Sequence, residues 1–217
     1  MNKGDQQIDF WDNYSKDFDT IYSYKKSEFY VLIDKIFRRD MYERFQFTIE
    51  RSHPISDKSI LDVGCGPGYY SLAFARQGAK RVIGIDYSEK MIQLANEHLE
   101  RENLESNCQF LIKDILDYNP DLRFDIAIAI GFFDYVKDPL PIIKKIRRVT
   151  NEKMIFSFPR LFTWRAPVRK IRLMMKKLDV YFYSKRKLKL ILESAGLKKY
   201  KIEKVGKLYC VVVFLNI

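Results

Sequence analysis

The apolar residues of the chain change their spacing near residue 55, and this divides it into two patterns. From residue 7 to about 50 they recur with a period near 3.6, with Phe29, Leu32, Ile33, Ile36 and Phe37 on one side, so this stretch is expected to be helical. His53-Pro54-Ile55-Ser56-Asp57 breaks it, because a proline drives its predecessor out of the helical region and the polar residues favour a turn. From Ser59 short apolar runs alternate with helical spacing. The runs predict strands at 59–63, 81–85, 108–112, 124–130 and 153–158, and the segments between predict helices at 68–77, 88–102 and 140–149. Such alternation builds parallel βαβ units. Ile126-Ala127-Ile128-Ala129-Ile130 is apolar at every position, as a central strand covered on both faces must be.

Beyond Pro159 the pattern predicts a basic amphipathic helix at about 165–178 and a second helix at 184–195, capped by Ser184 and terminated by Gly196. Lys198 to Lys204 and Leu208 to Leu215 flank Val205-Gly206-Lys207, a short glycine-bearing connection suited to an antiparallel hairpin. The expected architecture is one α/β domain over 1–217. It comprises a helical N-terminal cap or lid (1–55), a core (56–160) and a final part holding the basic helix, the second helix and the hairpin (161–217).

Composition agrees with this. The 217 residues are 47% hydrophobic and 31% charged, which excludes a disordered or collagen-like chain. Cys65, Cys108 and Cys210 are an odd number with no CxxC pair, so neither a disulfide framework nor a zinc site is expected, and a reducing, cytoplasmic setting fits. No clustered His and Cys have metal-ligand spacing, so metal-independent chemistry is expected. The longest apolar run, Ile126 to Phe133, falls well short of the ~20 residues that span a bilayer. The polar start Met1-Asn2-Lys3-Gly4-Asp5 lacks a signal core.

The net charge is +11, and all of the excess lies between Arg160 and Lys199, where 13 basic residues accompany only Asp179 and Glu193. Either this is a solvated helix face, or it meets an anionic partner: an acidic substrate, a membrane surface or nucleic acid.

The stretch Ile60-Leu61-Asp62-Val63-Gly64-Cys65-Gly66-Pro67-Gly68 carries a strand into alternating glycines and then a helix. Glycines there allow positive φ and close approach of a ligand to the backbone, beside the unpaired N–H groups of a helix N-terminus. The spacing is G-x-G-x-G rather than the dinucleotide G-x-G-x-x-G, and Asp62 precedes it. An acid here would repel a pyrophosphate and suit an ammonium group. Asp86, at the end of the second strand, is placed to accept both hydroxyls of a ribose. Asp114, just past the third strand, is placed to accept an exocyclic adenine N–H.

Together these residues resemble the class I S-adenosylmethionine-dependent methyltransferases. Asp62 to Gly68 is similar to the family's first motif, Gly84-Ile85-Asp86-Tyr87-Ser88 to its ribose-binding segment, Lys113-Asp114-Ile115 to its adenine contact and Phe124 to Gly131 to its fourth motif. The resemblance implies a Rossmann-like doubly wound, mostly parallel seven-stranded sheet with a C-terminal antiparallel hairpin, and S-adenosyl-L-methionine as methyl donor. It implies that Gly64, Gly66 and Gly68 line the methionine part, that Asp86 holds the ribose, that Met91 packs near the adenine with Asp114 and Ile115 contacting it, and that Asp62, Cys65, Tyr87, Ser88 and Gly131 also belong to the cofactor site. The aromatic segment Phe10 to Tyr22 resembles the lid of small-molecule members, which makes Tyr14 and Tyr22 contacts to the methionine end. Taken singly, Asp86 also suits a helix cap and Asp114 a turn.

The loop Gly131-Phe132-Phe133-Asp134-Tyr135 leaves the fourth strand at its carboxyl end, where such sheets place their chemistry. Asp134 is the first candidate for a base or for orienting the acceptor and Tyr135 the second; both also serve simply to shape the loop. His53 and His98 are expected at the surface. Arg39-Asp40-Met41, Arg44-Phe45 and Tyr181-Phe182-Tyr183-Ser184 loosely resemble magnesium-protoporphyrin O-methyltransferases, although the Gly131 loop and the basic helix depart from that enzyme.

Three readings follow. The leading one is methyl transfer to oxygen or nitrogen of a small acceptor, anionic or carbohydrate-like. The second is an RNA-directed methyltransferase or nucleic-acid-binding protein using the basic segment, although the Asn-Pro-Pro-Tyr and Asp-Pro-Pro-Tyr signatures of base methylation are absent after the fourth strand. The third places helix 165–178 on an anionic membrane.

Overall fold

A computed structural model describes residues 41–161 and 179–215. The described chain begins in a helix over 41–52 (α1). It continues through β1 Ser59–Val63, α2 Tyr69–Arg76, β2 Arg81–Asp86, α3 Glu89–Glu102, β3 Cys108–Ile112, β4 Phe124–Ala129 and α4 Leu140–Arg148. It ends with β5 Thr150–Pro159, α5 Lys185–Ser194, β6 Tyr200–Val205 and β7 Leu208–Phe214. The expected helix at 165–178 and the aromatic lid with Tyr14 and Tyr22 lie outside the described residues.

The seven strands form one sheet in the order β3-β2-β1-β4-β5-β7-β6. The first five are mutually parallel, and β7 runs antiparallel between β5 and β6. The expected doubly wound sheet and its C-terminal hairpin are therefore present. Strand order reverses between β1 and β4, and in such sheets the crevice at the carboxyl ends beside that reversal receives the ligand.

Alternation along each strand supplies two cores. Leu61, Val63, Ala127, Ala129, Phe156 and Phe158 face one side, covered by Ile143 and Ile146 of α4 and Leu188 and Leu192 of α5. Ile60, Ile126, Ile128, Ile155 and Val212 face the other, against Leu72 and Phe74 of α2, Ile92, Ala95 and Leu99 of α3, and Phe45 and Ile49 of α1. Burial on both faces is what the uninterrupted apolar run of β4 required.

The element ends deserve three comments. Gly68, expected inside α2, is its N-cap with φ +84, so the helix starts at Tyr69. Ser184 caps α5 by accepting the Lys187 N–H, as expected, and Gly196 follows its end with φ +72. Strand β5 begins at Thr150 rather than 153, because the polar Thr150-Asn151-Glu152 continue the pairing with β4 and Glu152 is anchored by Lys58 at 2.7 Å. All three cysteines are free and buried. Among the described residues, no helix is long and apolar enough to cross a membrane.

Candidate active site

The chain leaves β1 at Val63 and turns through Gly64-Cys65-Gly66-Pro67-Gly68 into α2, with positive φ at all three glycines. A Cβ at Gly64 would overlap the ring of Phe132, and one at Gly68 would stand 2.5 Å from the Phe110 ring. These two glycines let aromatic rings close against the loop. Gly66 differs: a Cβ there would meet nothing nearer than the Met91 sulfur at 4.0 Å. Open space over its backbone lets a ligand approach closely, the property expected of this loop.

The loop is held by its own peptide groups. The N–H groups of Gly64 and Cys65 donate to the Ile85 carbonyl at 2.8 and 3.1 Å, and that of Gly68 donates to the Cys65 carbonyl at 3.1 Å. Asp86, at the end of β2, accepts the Gly66 N–H on Oδ2 at 2.9 Å and the Ser88 N–H on Oδ1 at 3.0 Å. Both oxygens of Asp86 thus hold backbone N–H groups of the segments that flank the crevice.

Asp62, expected to suit an ammonium group, is buried at the end of β1. Alternation turns it to the same face as Ile60, beneath α2, where it is 2% exposed and accepts the Ser71 hydroxyl on Oδ2 at 2.8 Å. Burial pushes its pKa up to about 7, the Ser71 hydrogen bond opposes the rise, and the Asp86 charge adds to it. Asp62 thus ties the end of β1 to α2 through Ser71. Cys65 is likewise buried, its Sγ 3.6 Å from the Gly66 carbonyl, and burial keeps its thiol protonated and unreactive.

The remaining nucleoside candidates gather around the ends of β2 and β3. Ser88 is fully buried and caps α3 by accepting the Met91 N–H at 3.2 Å. Met91 lies beneath Gly66, and Tyr87 is half-buried between Asp86 and Ser88. Ile115 is buried, whereas Asp114 is exposed and accepts the Leu116 N–H on Oδ1 at 2.8 Å, a turn-forming bond.

At the exit of β4, Gly131 has φ +75 and donates its N–H to the Ser157 hydroxyl at 2.8 Å. Phe132 then folds back against Gly64, joining this loop to the glycine loop. Asp134 is only 4% exposed, and Tyr135 is half-buried. The strap before α5 holds this loop in place. The Tyr181 N–H donates to the Asp134 carbonyl at 2.8 Å, and the buried Tyr183 hydroxyl reaches the carbonyls of Val136 and Phe133 at 3.1 and 3.3 Å. Burial, reinforced by the Asp134 charge, holds the Tyr183 phenol well above its ordinary pKa, so it remains a donor.

Three contacts near the site could not be read from sequence spacing. Arg44 of α1 brings Nη1 to within 3.1 Å of where a side chain on Gly131 would begin, placing a guanidinium at the β4 exit. Arg160, just past β5, lies over the Tyr209 ring with its Cζ 5.5 Å from the centroid and donates from Nη1 to the Gly206 carbonyl at 3.1 Å. His98 is not simply a surface residue. It is half-buried, its Nδ1 lies 2.9 Å from the Pro67 carbonyl, and its ring packs on Tyr69 with centroids 5.2 Å apart.

Residues 55–196 match the model of a methyltransferase domain family. The chain belongs to that methyltransferase family. A ubiquinone biosynthesis O-methyltransferase of Coxiella burnetii is 40% identical over 111 residues, 50% of this chain and 47% of that protein. One from Histophilus somni is 30% identical over 119 residues, 53% of this chain and 50% of its own. The chain thus aligns with about half the length of these curated relatives. Magnesium protoporphyrin IX methyltransferase from Synechocystis PCC 6803, solved with SAH bound, has the same fold: TM-score 0.79 at 18% identity, covering 99% of this chain and 100% of that one.

Proposed function

We propose that the chain transfers the methyl group of S-adenosyl-L-methionine to an oxygen of a small-molecule acceptor. The observation that carries this reading is the Asp86 carboxylate, joined to Gly66 and Ser88 at the carboxyl end of β2, beside the reversal of strand order. Family membership and relatives that are O-methyltransferases support the reaction and the choice of oxygen.

In this reading Asp86 binds the ribose, Met91 and Ile115 pack at the adenine, the open backbone of Gly66 faces the methionine part, and Arg44 offers donors to its carboxylate. The donor supplies a methyl carbon already activated by sulfonium. The protein's share is then alignment of the acceptor oxygen and exclusion of water. Phe132, lying between the glycine loop and the β4 exit, supplies an apolar wall for both tasks. Tyr135, more open than Asp134, is the group that reaches the acceptor, and Asp134 keeps the loop in shape from within.

An anionic acceptor is supported by Arg160. It stands just past the carboxyl end of β5, and among the described residues no ion pair to a carboxylate is seen for it. The test is SAH formation by the purified protein with a panel of phenols, hydroxylated benzoates, amines and RNA. Turnover with hydroxyl-bearing acids that exceeds turnover with their amides supports the reading. Turnover confined to amines or to RNA overturns it.

A further inference from the structure

The peptide unit between Pro67 and Gly68 forms the last turn of the glycine loop before α2, and two bonds fix its plane. On one side the Gly68 N–H donates to the Cys65 carbonyl at 3.1 Å. On the other the Pro67 carbonyl meets Nδ1 of His98 at 2.9 Å. Proline has no N–H, so this carbonyl is the only polar backbone group residue 67 possesses. A carbonyl only accepts, so the imidazole must carry its proton on Nδ1; with the proton on Nε2, two lone pairs would face each other.

The side chain comes from α3, more than 30 residues along the chain, and is held by its own surroundings. Tyr69, the first residue of α2, packs against the ring. The Glu102 carboxylate, one turn along α3, is paired with Arg76 of α2. The imidazole therefore ties α3 to the loop at the very residue that separates Gly66 from Gly68.

We infer that His98 is a positioning residue for cofactor binding: its Nδ1–H fixes the Pro67–Gly68 peptide so that the backbone around Gly66 is presented to the ligand ready-made. It touches the loop rather than the ligand. Without that bond the plane can rotate, and binding must then order it at the expense of affinity. The inference rests on the glycine loop being the donor site, and the experiment separates the two ideas.

Three variants distinguish the bond from mere packing. His98→Phe keeps a ring against Tyr69 but has no donor. His98→Asn places an amide N–H where Nδ1 stood, and His98→Gln places one where Nε2 stood. Calorimetric titration with SAH at pH 7.5 is expected to show affinity lowered about five- to tenfold in His98→Phe and His98→Gln, the worth of one hydrogen bond, and kept within about threefold of the native protein in His98→Asn. Nitrogen-15 spectra of the native protein are expected to show a proton on Nδ1, a readout that stands even if a variant fails to fold. Native affinity in His98→Phe, equal losses in His98→Phe and His98→Asn, or a proton on Nε2 alone would overturn the inference. Failure of the native protein to bind SAH would instead remove the donor-site reading beneath it.

Discussion

Asp86 Oδ2 accepts the N–H of Gly66 at 2.9 Å, so the end of β2 holds the middle of the loop that leaves β1. The two residues that the nucleoside reading depends on are thus already in contact with each other. The same carboxylate orders the loop and the start of α3. Hydrogen bonds to a charged group are worth about 1.5–3 kcal/mol. In Asp86→Ala the Gly66 amide is therefore expected to exchange its hydrogen roughly 10-fold faster or more, measured by NMR without ligand. An unchanged rate would mean that the loop is ordered by its other bonds.

Asp62 sets a pH dependence of stability. Its folded-state pKa of about 7 lies above the ordinary value of roughly 3.9. The folded chain therefore holds this proton where the unfolded chain has lost it. The sign follows: the stability contribution is fully present below about pH 4, falls as pH rises and is lost above about pH 7. Asp62→Asn cannot ionise. Its stability relative to the native protein is expected to improve between pH 4 and 7, by about 1.4 kcal/mol for each pKa unit of the shift. Urea denaturation at a series of pH values measures this, and a difference that stays constant with pH would contradict it.

Tyr183 reports on the β4 exit loop separately from the donor site. Its hydroxyl serves the Phe133 and Val136 carbonyls from a fully buried position. Removing it in Tyr183→Phe leaves buried carbonyls unsatisfied, at a cost of about 1–3 kcal/mol. For a chain of this size that lowers the melting temperature by roughly 2–10 °C. SAH affinity is expected to stay within about twofold. An unchanged melting temperature would show that the loop does not depend on this strap.

The sheet was legible because its strands are short apolar runs separated by helical spacing, and Ile126 to Ala129 could hardly be anything but a central strand. The glycine loop and Asp86 were legible because their spacing follows the backbone itself. The Asp62–Ser71 bond is not legible in the sequence for a reason of geometry. The alternation of Asp62 with Ile60 was visible, but which face α2 would cover was not, and the partner Ser71 lies nine residues on. His98, Arg44 and Arg160 show the same limit more strongly. Helical spacing puts His98 on the side of α3 that meets its neighbours, yet nothing in it shows that the Pro67 carbonyl arrives there. Those contacts are created by packing between elements distant in sequence, and short patterns do not record them.

The donor site is tested most directly by calorimetric titration of the native chain and of Asp86→Ala with S-adenosylmethionine and SAH. One site per native chain is predicted, with affinity reduced about 30-fold or more in the variant, as expected for the loss of one or two bonds to a carboxylate. Absence of binding by the native protein, or equal binding by both, would contradict the assignment of the β1–β2 crevice as the donor site.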